Sequence, residues 1–159
     1  MKIGIITASD KGYAGQRPDK SGPALEEMAR ERGYEVTARE ILPDDRQRLA
    51  EAMRRMADQG SCDVILVTGG TGFSPRDVTP EATADVVERR TPGFDEAMRA
   101  ASLRVTPHGM LSRGISGIRG GTIILNLPGS PKAARENFAV VADVLPHALE
   151  MLRGGGHGD

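Results

Sequence analysis

The run over residues 62–82, CDVILVTGGTGFSPRDVTPEA, limits the fold more than any other part of the chain. Val64, Ile65, Leu66 and Val67 leave no polar position between them. A strand with that pattern is buried on both faces, so helices must cover both sides of its sheet. The run then breaks into Gly69-Gly70-Thr71-Gly72, a backbone free to take positive φ and to approach a ligand with no Cβ in the way. Ser74-Pro75-Arg76-Asp77 forms a turn, and a helix follows with Thr79 as N-cap and Pro80 at the first helical position. Strand, glycine loop and helix N-terminus in succession build anion sites in α/β proteins. Pro75 stands where the dinucleotide fingerprint needs its third glycine, and the chain holds no Gly-Lys-Ser/Thr of a P-loop.

The rest of the chain alternates in the same way. Residues 2–8 form a first strand, which ends in Ser9-Asp10 and a long loop over residues 11–19. Long loops at strand ends are often functional. A helix from about Ser21 carries Leu25, Met28 and Ala29 on one side and stops before Gly33. Residues 34–42 alternate like an edge strand. Pro43-Asp44-Asp45 then turns into a helix with Leu49, Ala52, Met53 and Met56 inward. Further helices are predicted over 80–89 and 91–104, the second with Phe94, Met98, Ala101 and Leu103 as its apolar positions. Short strands flank Gly120-Gly121, and residues 122–127 form another strand buried on both faces. A last helix starts near Pro131, carries Phe138, Val141, Leu145, Leu149 and Leu152, and is kinked or split by Pro146. Residues 154–159 read as a frayed tail. The pattern predicts one α/β domain over residues 1–153, a doubly wound, mostly parallel sheet with helices on both faces.

A length of 159 residues suits a single domain with a real core. A net charge of −1 and 3% aromatic residues argue against a nucleic-acid surface. No apolar run approaches membrane-spanning length, and residues 1–6 read as a strand rather than a leader, so a cytoplasmic protein is expected. The lone Cys62 reads as a small buried hydrophobe, and His108, His147 and His157 are too scattered for a zinc pattern.

Ligands of such sheets sit at the carboxyl ends of the strands. Four of those ends carry unusual residues: Ser9-Asp10, Pro43-Asp44-Asp45, Thr68-Gly69-Gly70-Thr71-Gly72 and Asn126-Leu127-Pro128-Gly129-Ser130-Pro131. Their backbone N–H groups suit phosphate. No lysine follows the glycine loop, yet Asp10, Asp44 and Asp77 sit on the same rim. Carboxylates beside a phosphate repel it unless a divalent cation lies between them. Mg²⁺ takes one or two carboxylates plus phosphate oxygens. The rim therefore reads as a Mg–nucleotide or Mg–phosphate site suited to phosphoryl or nucleotidyl transfer. Plainer roles stay open: Asp44 or Asp45 as an N-cap, Asp77 in an Asx-turn, Ser9-Asp10 and residues 128–131 as turn formers, and Ser112-Arg113 as surface loop.

Several motifs together resemble one family. They are Ile6-Thr7-Ala8-Ser9-Asp10, Asp19-Lys20-Ser21-Gly22-Pro23, Leu42-Pro43-Asp44-Asp45, Thr68-Gly69-Gly70-Thr71-Gly72 and Arg76-Asp77-Val78-Thr79-Pro80-Glu81-Ala82. Pro92-Gly93-Phe94, Leu111-Ser112-Arg113 and Leu127-Pro128-Gly129-Ser130-Pro131-Lys132 complete the set. In this order they resemble the MogA/MoaB-type molybdopterin adenylyltransferases of molybdenum cofactor biosynthesis. The resemblance implies transfer of AMP from Mg-ATP to the terminal phosphate of molybdopterin, with loss of pyrophosphate and delivery of the product to a molybdenum-insertion enzyme. It places the two functional, metal-binding aspartates on Asp44 and Asp77 and the phosphate loop on Gly69, Gly70, Thr71 and Gly72. It makes Ser9, Asp10, Ser112, Arg113, Pro128, Gly129 and Ser130 further parts of the ligand pocket. It implies a trimer or a hexamer. A non-catalytic molybdopterin-binding or assembly protein of the same pathway is the alternative reading; only the enzyme needs both aspartates within reach of one metal.

Overall fold

The computed structural model describes residues 1–155; four residues of the predicted tail, 156–159, lie outside the described residues. The strands are β1 (Lys2–Ala8), β2 (Glu35–Leu42), β3 (Val64–Thr68), β4 (Arg89–Arg90), β5 (Ser116–Arg119) and β6 (Thr122–Leu127). They form one sheet in the order β2-β1-β3-β6-β5-β4. The first four in that order run parallel. β5 and β6 make an antiparallel hairpin, and β4 pairs antiparallel at the edge.

The helices are α1 (Asp10–Tyr13), α2 (Ser21–Glu31), α3 (Arg46–Asp58), α4 (Thr79–Ala84), α5 (Pro92–Val105), α6 (Pro131–Val141) and α7 (Leu145–Leu152), with a 3₁₀ helix over Pro107–Leu111. All five residues of β3 are buried, and they divide by parity. Val64 and Leu66 join Ile3, Ile5 and Leu125 beneath α2, α6 and α7, represented by Leu25, Phe138, Leu145 and Leu149. Ile65 and Val67 join Ile6 and Ile124 beneath α3, represented by Leu49, Met53 and Met56. The two-sided apolar strand therefore does what its pattern requires. Cys62 is buried in the second cluster. Among the described residues no helix is long and apolar enough to cross a membrane.

Pro146 divides the last helical stretch into α6 and α7. Three local expectations are corrected. The helix expected over 80–89 stops at Ala84, because the Glu88 N–H donates to the Ile118 carbonyl and residues 89–90 pair with β5. In α5, Leu103 is exposed, and the buried positions are Met98 and the polar Asp95. Asp95 goes inside because the Ser116 hydroxyl and N–H both donate to its carboxylate. Thr79 is not the N-cap of α4; Val78 is, and the Thr79 hydroxyl instead donates to the Gly69 carbonyl at 2.7 Å.

Candidate active site

Register brings the parallel strands' carboxyl ends level: Ala8 lies opposite Leu42, Thr7 opposite Thr68, and Thr68 opposite Leu127. The loops that follow enclose a cleft of about 580 Å³. Backbone approach sets its floor. Gly69 and Gly70 take φ of +96° and +69°, whereas Gly72 has no positive φ. A Cβ on Gly69 would press on the Ala8 carbonyl, and one on Gly129 would stand 3.2 Å from the Gly69 Cα. Three chain segments thus converge with no room for side chains. The glycine turn is pinned from below: Gly69 N–H donates to the Leu127 carbonyl at 3.0 Å, and Thr79 N–H donates to the Gly70 carbonyl at 3.1 Å.

Asp10 and Asp44 join the ends of β1 and β2 reciprocally. Asp10 N–H donates to Asp44 Oδ2 at 3.1 Å, and Asp44 N–H donates to Asp10 Oδ1 at 2.9 Å. Asp45, not Asp44, caps α3 by accepting from Arg48 N–H. Asp44 Oδ1 is buried and has no hydrogen-bond partner among the described residues. Burial pushes the Asp44 carboxyl above its ordinary range, and Asp10 and Asp77 add in the same direction against the Asp10 N–H bond. Asp77 lines the same cleft, and its Oδ2 accepts from Ser74 N–H at 3.0 Å, the turn-closing role. Asp10 is held by the Arg76 guanidinium at 2.9 and 3.0 Å, which keeps its carboxyl below the usual range.

Of the residues singled out from the sequence, Ser9, Asp44, Gly69, Gly70, Asp77, Gly129 and Ser130 line this cleft. Ser9 and Ser130 also cap helices, accepting from Gly12 N–H and Ala133 N–H. Thr71, Gly72, Ser112 and Pro128 line a neighbouring pocket of about 270 Å³ with Leu111 and His108. Asp10 and Arg113 line neither.

Thr7, Arg17, Asp19, Lys20 and Ser21, none of them expected in the site from the sequence, also line the cleft. Asp19 anchors its loop by accepting from the Thr7 hydroxyl and from Gly22 N–H, both at 3.0 Å. That anchor presents the exposed Arg17 and Lys20 to the cleft. They supply the cationic charge that is missing after the glycine loop. The unusual length of the loop was the available signal.

Comparison with known proteins follows the same lines. The family model described as "Probable molybdopterin binding domain" matches residues 4–147. The chain belongs to that family. It is 39% identical over 158 residues to a molybdopterin adenylyltransferase of Helicobacter pylori strain J99, covering 97% of this chain and 89% of the relative. It is 37% identical over 169 residues to the Escherichia coli K12 molybdopterin adenylyltransferase, covering 97% and 86%. A crystal structure of the molybdopterin biosynthesis enzyme MoaB from Thermus thermophilus superposes with a TM-score of 0.90 at 48% identity, covering 96% of each chain.

A divalent cation fits the cleft on one observation, the Asp44 Oδ1 that has no hydrogen-bond partner among the described residues and lies beside the glycine turn. Among the described residues no group of three or more His, Cys, Asp or Glu could hold a metal ion by itself. A cation held by Asp44 and Asp77 would complete its shell with phosphate oxygens and water, as Mg²⁺ does.

Proposed function

We propose that this chain is a molybdopterin adenylyltransferase, with residues 1–153 as its molybdopterin-binding domain. It transfers AMP from Mg-ATP to the terminal phosphate of molybdopterin and releases pyrophosphate, a step of molybdenum cofactor biosynthesis. The observation that carries the reading is the pair of adjoining cavities divided by one glycine loop. A transfer between two phosphorylated substrates needs two pockets that meet at the reacting phosphates. Gly69 and Gly70 face the larger pocket, and Thr71 and Gly72 face the smaller.

In the larger cleft the glycine-turn amides beyond Gly69, whose own N–H is committed to the Leu127 carbonyl, and the N-terminus of α6 at Ser130 receive the nucleotide phosphates. Arg17 and Lys20 neutralise the phosphate charge from the opposite loop. Asp44 and Asp77 would hold Mg²⁺, which when bound would supply charge stabilisation at the transferring phosphorus. Ser112 and Pro128 in the smaller pocket orient molybdopterin so that its phosphate faces the α-phosphorus. Catalysis then rests on positioning and fixed charge, with no activated side chain required.

The protein works in the cytoplasm as a trimer or hexamer and passes its product to a molybdenum-insertion enzyme. Exposed large apolar side chains near the end of α5 and on the 3₁₀ helix (Leu103, Val105, Met110 and Leu111) support self-assembly. Sedimentation at micromolar concentration tests that part; a monomer removes it. The activity is tested by incubating the pure protein with molybdopterin, Mg²⁺ and ATP. Pyrophosphate and an adenylylated pterin are expected. Pterin binding with no ATP-dependent product would leave a non-catalytic binding protein instead.

A further inference from the structure

We infer that Arg113 is a positioning residue that sets where the Asp77 carboxylate stands, an inference that rests on the adenylyl-transfer reading above. Its guanidinium lines neither pocket. Arg113 Nε donates to the Gly72 carbonyl at 2.7 Å and Nη2 to the Asp77 carbonyl at 2.8 Å. Nη1 and Nη2 also donate to the Glu81 carboxylate, at 2.6 and 3.3 Å. Its backbone N–H donates to the Thr71 carbonyl at 2.8 Å. One residue therefore grips the segment over residues 71–77 at three carbonyls, on both sides of its turn, and ties it to α4 through Glu81.

That segment needs an outside hold. Phe73, Ser74, Pro75 and Arg76 are four exposed residues in succession, and the glycine before them is flexible. Its backbone bonds are local: Asp77 N–H to the Ser74 carbonyl at 2.9 Å, and Ser74 N–H to Asp77 Oδ2 at 3.0 Å; its Arg76 side chain reaches out to Asp10 at 2.9 and 3.0 Å. The two turn bonds fix its shape, while its place over the cleft is set from outside, by the solvent-exposed Arg76–Asp10 pair and by Arg113. Arg113 is itself braced from behind. Arg99 Nη1 donates to the carbonyls of Ser112 and Gly114, the residues on either side of it, at 2.9 and 3.2 Å. Leu111 and Ser112 line the smaller pocket, so the same short stretch joins the walls of both cavities.

Only arginine suits this position. Its planar guanidinium carries five donors in a fixed fork, enough for two carbonyls and a carboxylate at once, where lysine offers a single flexible point charge. The Arg113 hydrogen bond holds the Glu81 carboxyl below its usual range, so Glu81 stays charged as the fork's anchor at neutral pH. As a half-exposed ion pair the couple adds little stability. Its value lies in geometry, because misplacing a reacting group by about 1 Å can cost ~10²-fold in rate.

The test pairs kinetics with amide hydrogen exchange on Arg113→Lys, Asp77→Asn and the double variant. Arg113→Lys keeps the charge and is chosen over alanine so that the fold survives. Its kcat for adenylyl transfer is expected to fall ~10- to ~10²-fold, with KM for ATP and for molybdopterin within about twofold of the parent. In the Asp77→Asn background the same change is expected to cost less than about twofold more, because its effect runs through Asp77. The Ser74 and Asp77 amides exchange faster in Arg113→Lys, while those of β3 do not. Independent, multiplicative losses in the double variant, or a raised KM with unchanged kcat, would overturn the inference. An inactive parent protein would remove the adenylyl-transfer reading instead. The exchange measurement still decides then: unchanged Ser74 and Asp77 exchange shows that Arg113 does not hold the segment.

Discussion

The glycine loop permits a graded prediction, because its three glycines are required for three different reasons. Gly70 takes φ +69°, and a Cβ there would come closer than 3.0 Å to Thr79 Oγ1 and to 3.1 Å from Asp44 Oδ1. Thr79 is fully buried, and its hydroxyl is committed to the Gly69 carbonyl. Gly70→Ala therefore combines a left-handed backbone cost of about 1–2 kcal/mol with an overpacking cost of about 1–3 kcal/mol. A loss of about 2–5 kcal/mol is a large share of the ~5–15 kcal/mol that holds a typical domain together. Gly69→Ala is at least as costly, since φ is +96° and its Cβ would meet the backbone carbonyl of Ala8, which cannot turn aside. Gly72 has no positive φ, and its Cβ would stand 2.9 Å from Asp77 Oδ2, a side-chain atom that can move. Gly72→Ala should thus cost less than about 1 kcal/mol of stability while displacing the Asp77 carboxylate proposed to hold the cation. Urea unfolding followed by circular dichroism, together with an adenylyl-transfer assay, separates the three. The expected order of stability loss is Gly69→Ala, then Gly70→Ala, then Gly72→Ala, with Gly72→Ala folded but slow. Equal stability losses for all three, or a fully active Gly72→Ala, would refute the reasoning.

Asp77→Asn keeps an acceptor for Ser74 N–H and removes only the charge, so transfer should fall at least ~10²-fold, about 2.7 kcal/mol of barrier, with the melting temperature little changed; joint loss of stability and activity would make Asp77 a turn residue only. Arg17→Ala with Lys20→Ala should weaken ATP binding at least ~10-fold and leave adenosine binding unchanged, since the lost contacts are charge on phosphate; calorimetry with both ligands decides, and equal weakening would contradict the phosphate assignment. Asp10 is held below its ordinary 3.8 by the Arg76 hydrogen bond, so it adds stability that is present above that value and lost as pH falls through the lower folded value. Arg76→Gln should therefore flatten the acid limb of the urea midpoint below about pH 4, by a small amount because both side chains are exposed; parallel profiles would show that the pair contributes nothing.

Much of the frame could be read from local pattern. The polar-free Val64–Val67 run required a sheet covered on both sides, and Pro146 required a break in the last helix; each is a property of a few neighbouring residues. The glycine loop announced close backbone approach without saying what approaches. That partner is the Ala8 carbonyl and Gly129, which lie far away in sequence. Asp95 was missed because helical periodicity counts apolar residues, whereas the donors that let a carboxylate go inside come from Ser116 on β5. Arg17 and Lys20 were missed because charge in an irregular loop carries no period; only the Asp19 anchor to Thr7 and Gly22 aims them at the cleft. The choice between Asp44 and Asp45 as cap depended on which carboxylate reaches Arg48 N–H, a matter of backbone direction at the end of β2.

One glycine turn is proposed to carry the nucleotide phosphates on its cleft side, opposite Arg17 and Lys20, with a cation on Asp44. A crystal structure with Mg²⁺ and a non-hydrolysable ATP analogue tests it directly. Phosphate oxygens are expected on the Gly69 to Gly70 turn, Mg²⁺ on the Asp44 Oδ1 that has no partner among the described residues, and Arg17 or Lys20 within ion-pair distance of the triphosphate. A nucleotide seated elsewhere, for instance in the apolar groove between Phe94 on α5 and Val140 on α6, with Asp44 Oδ1 still uncoordinated, would contradict it.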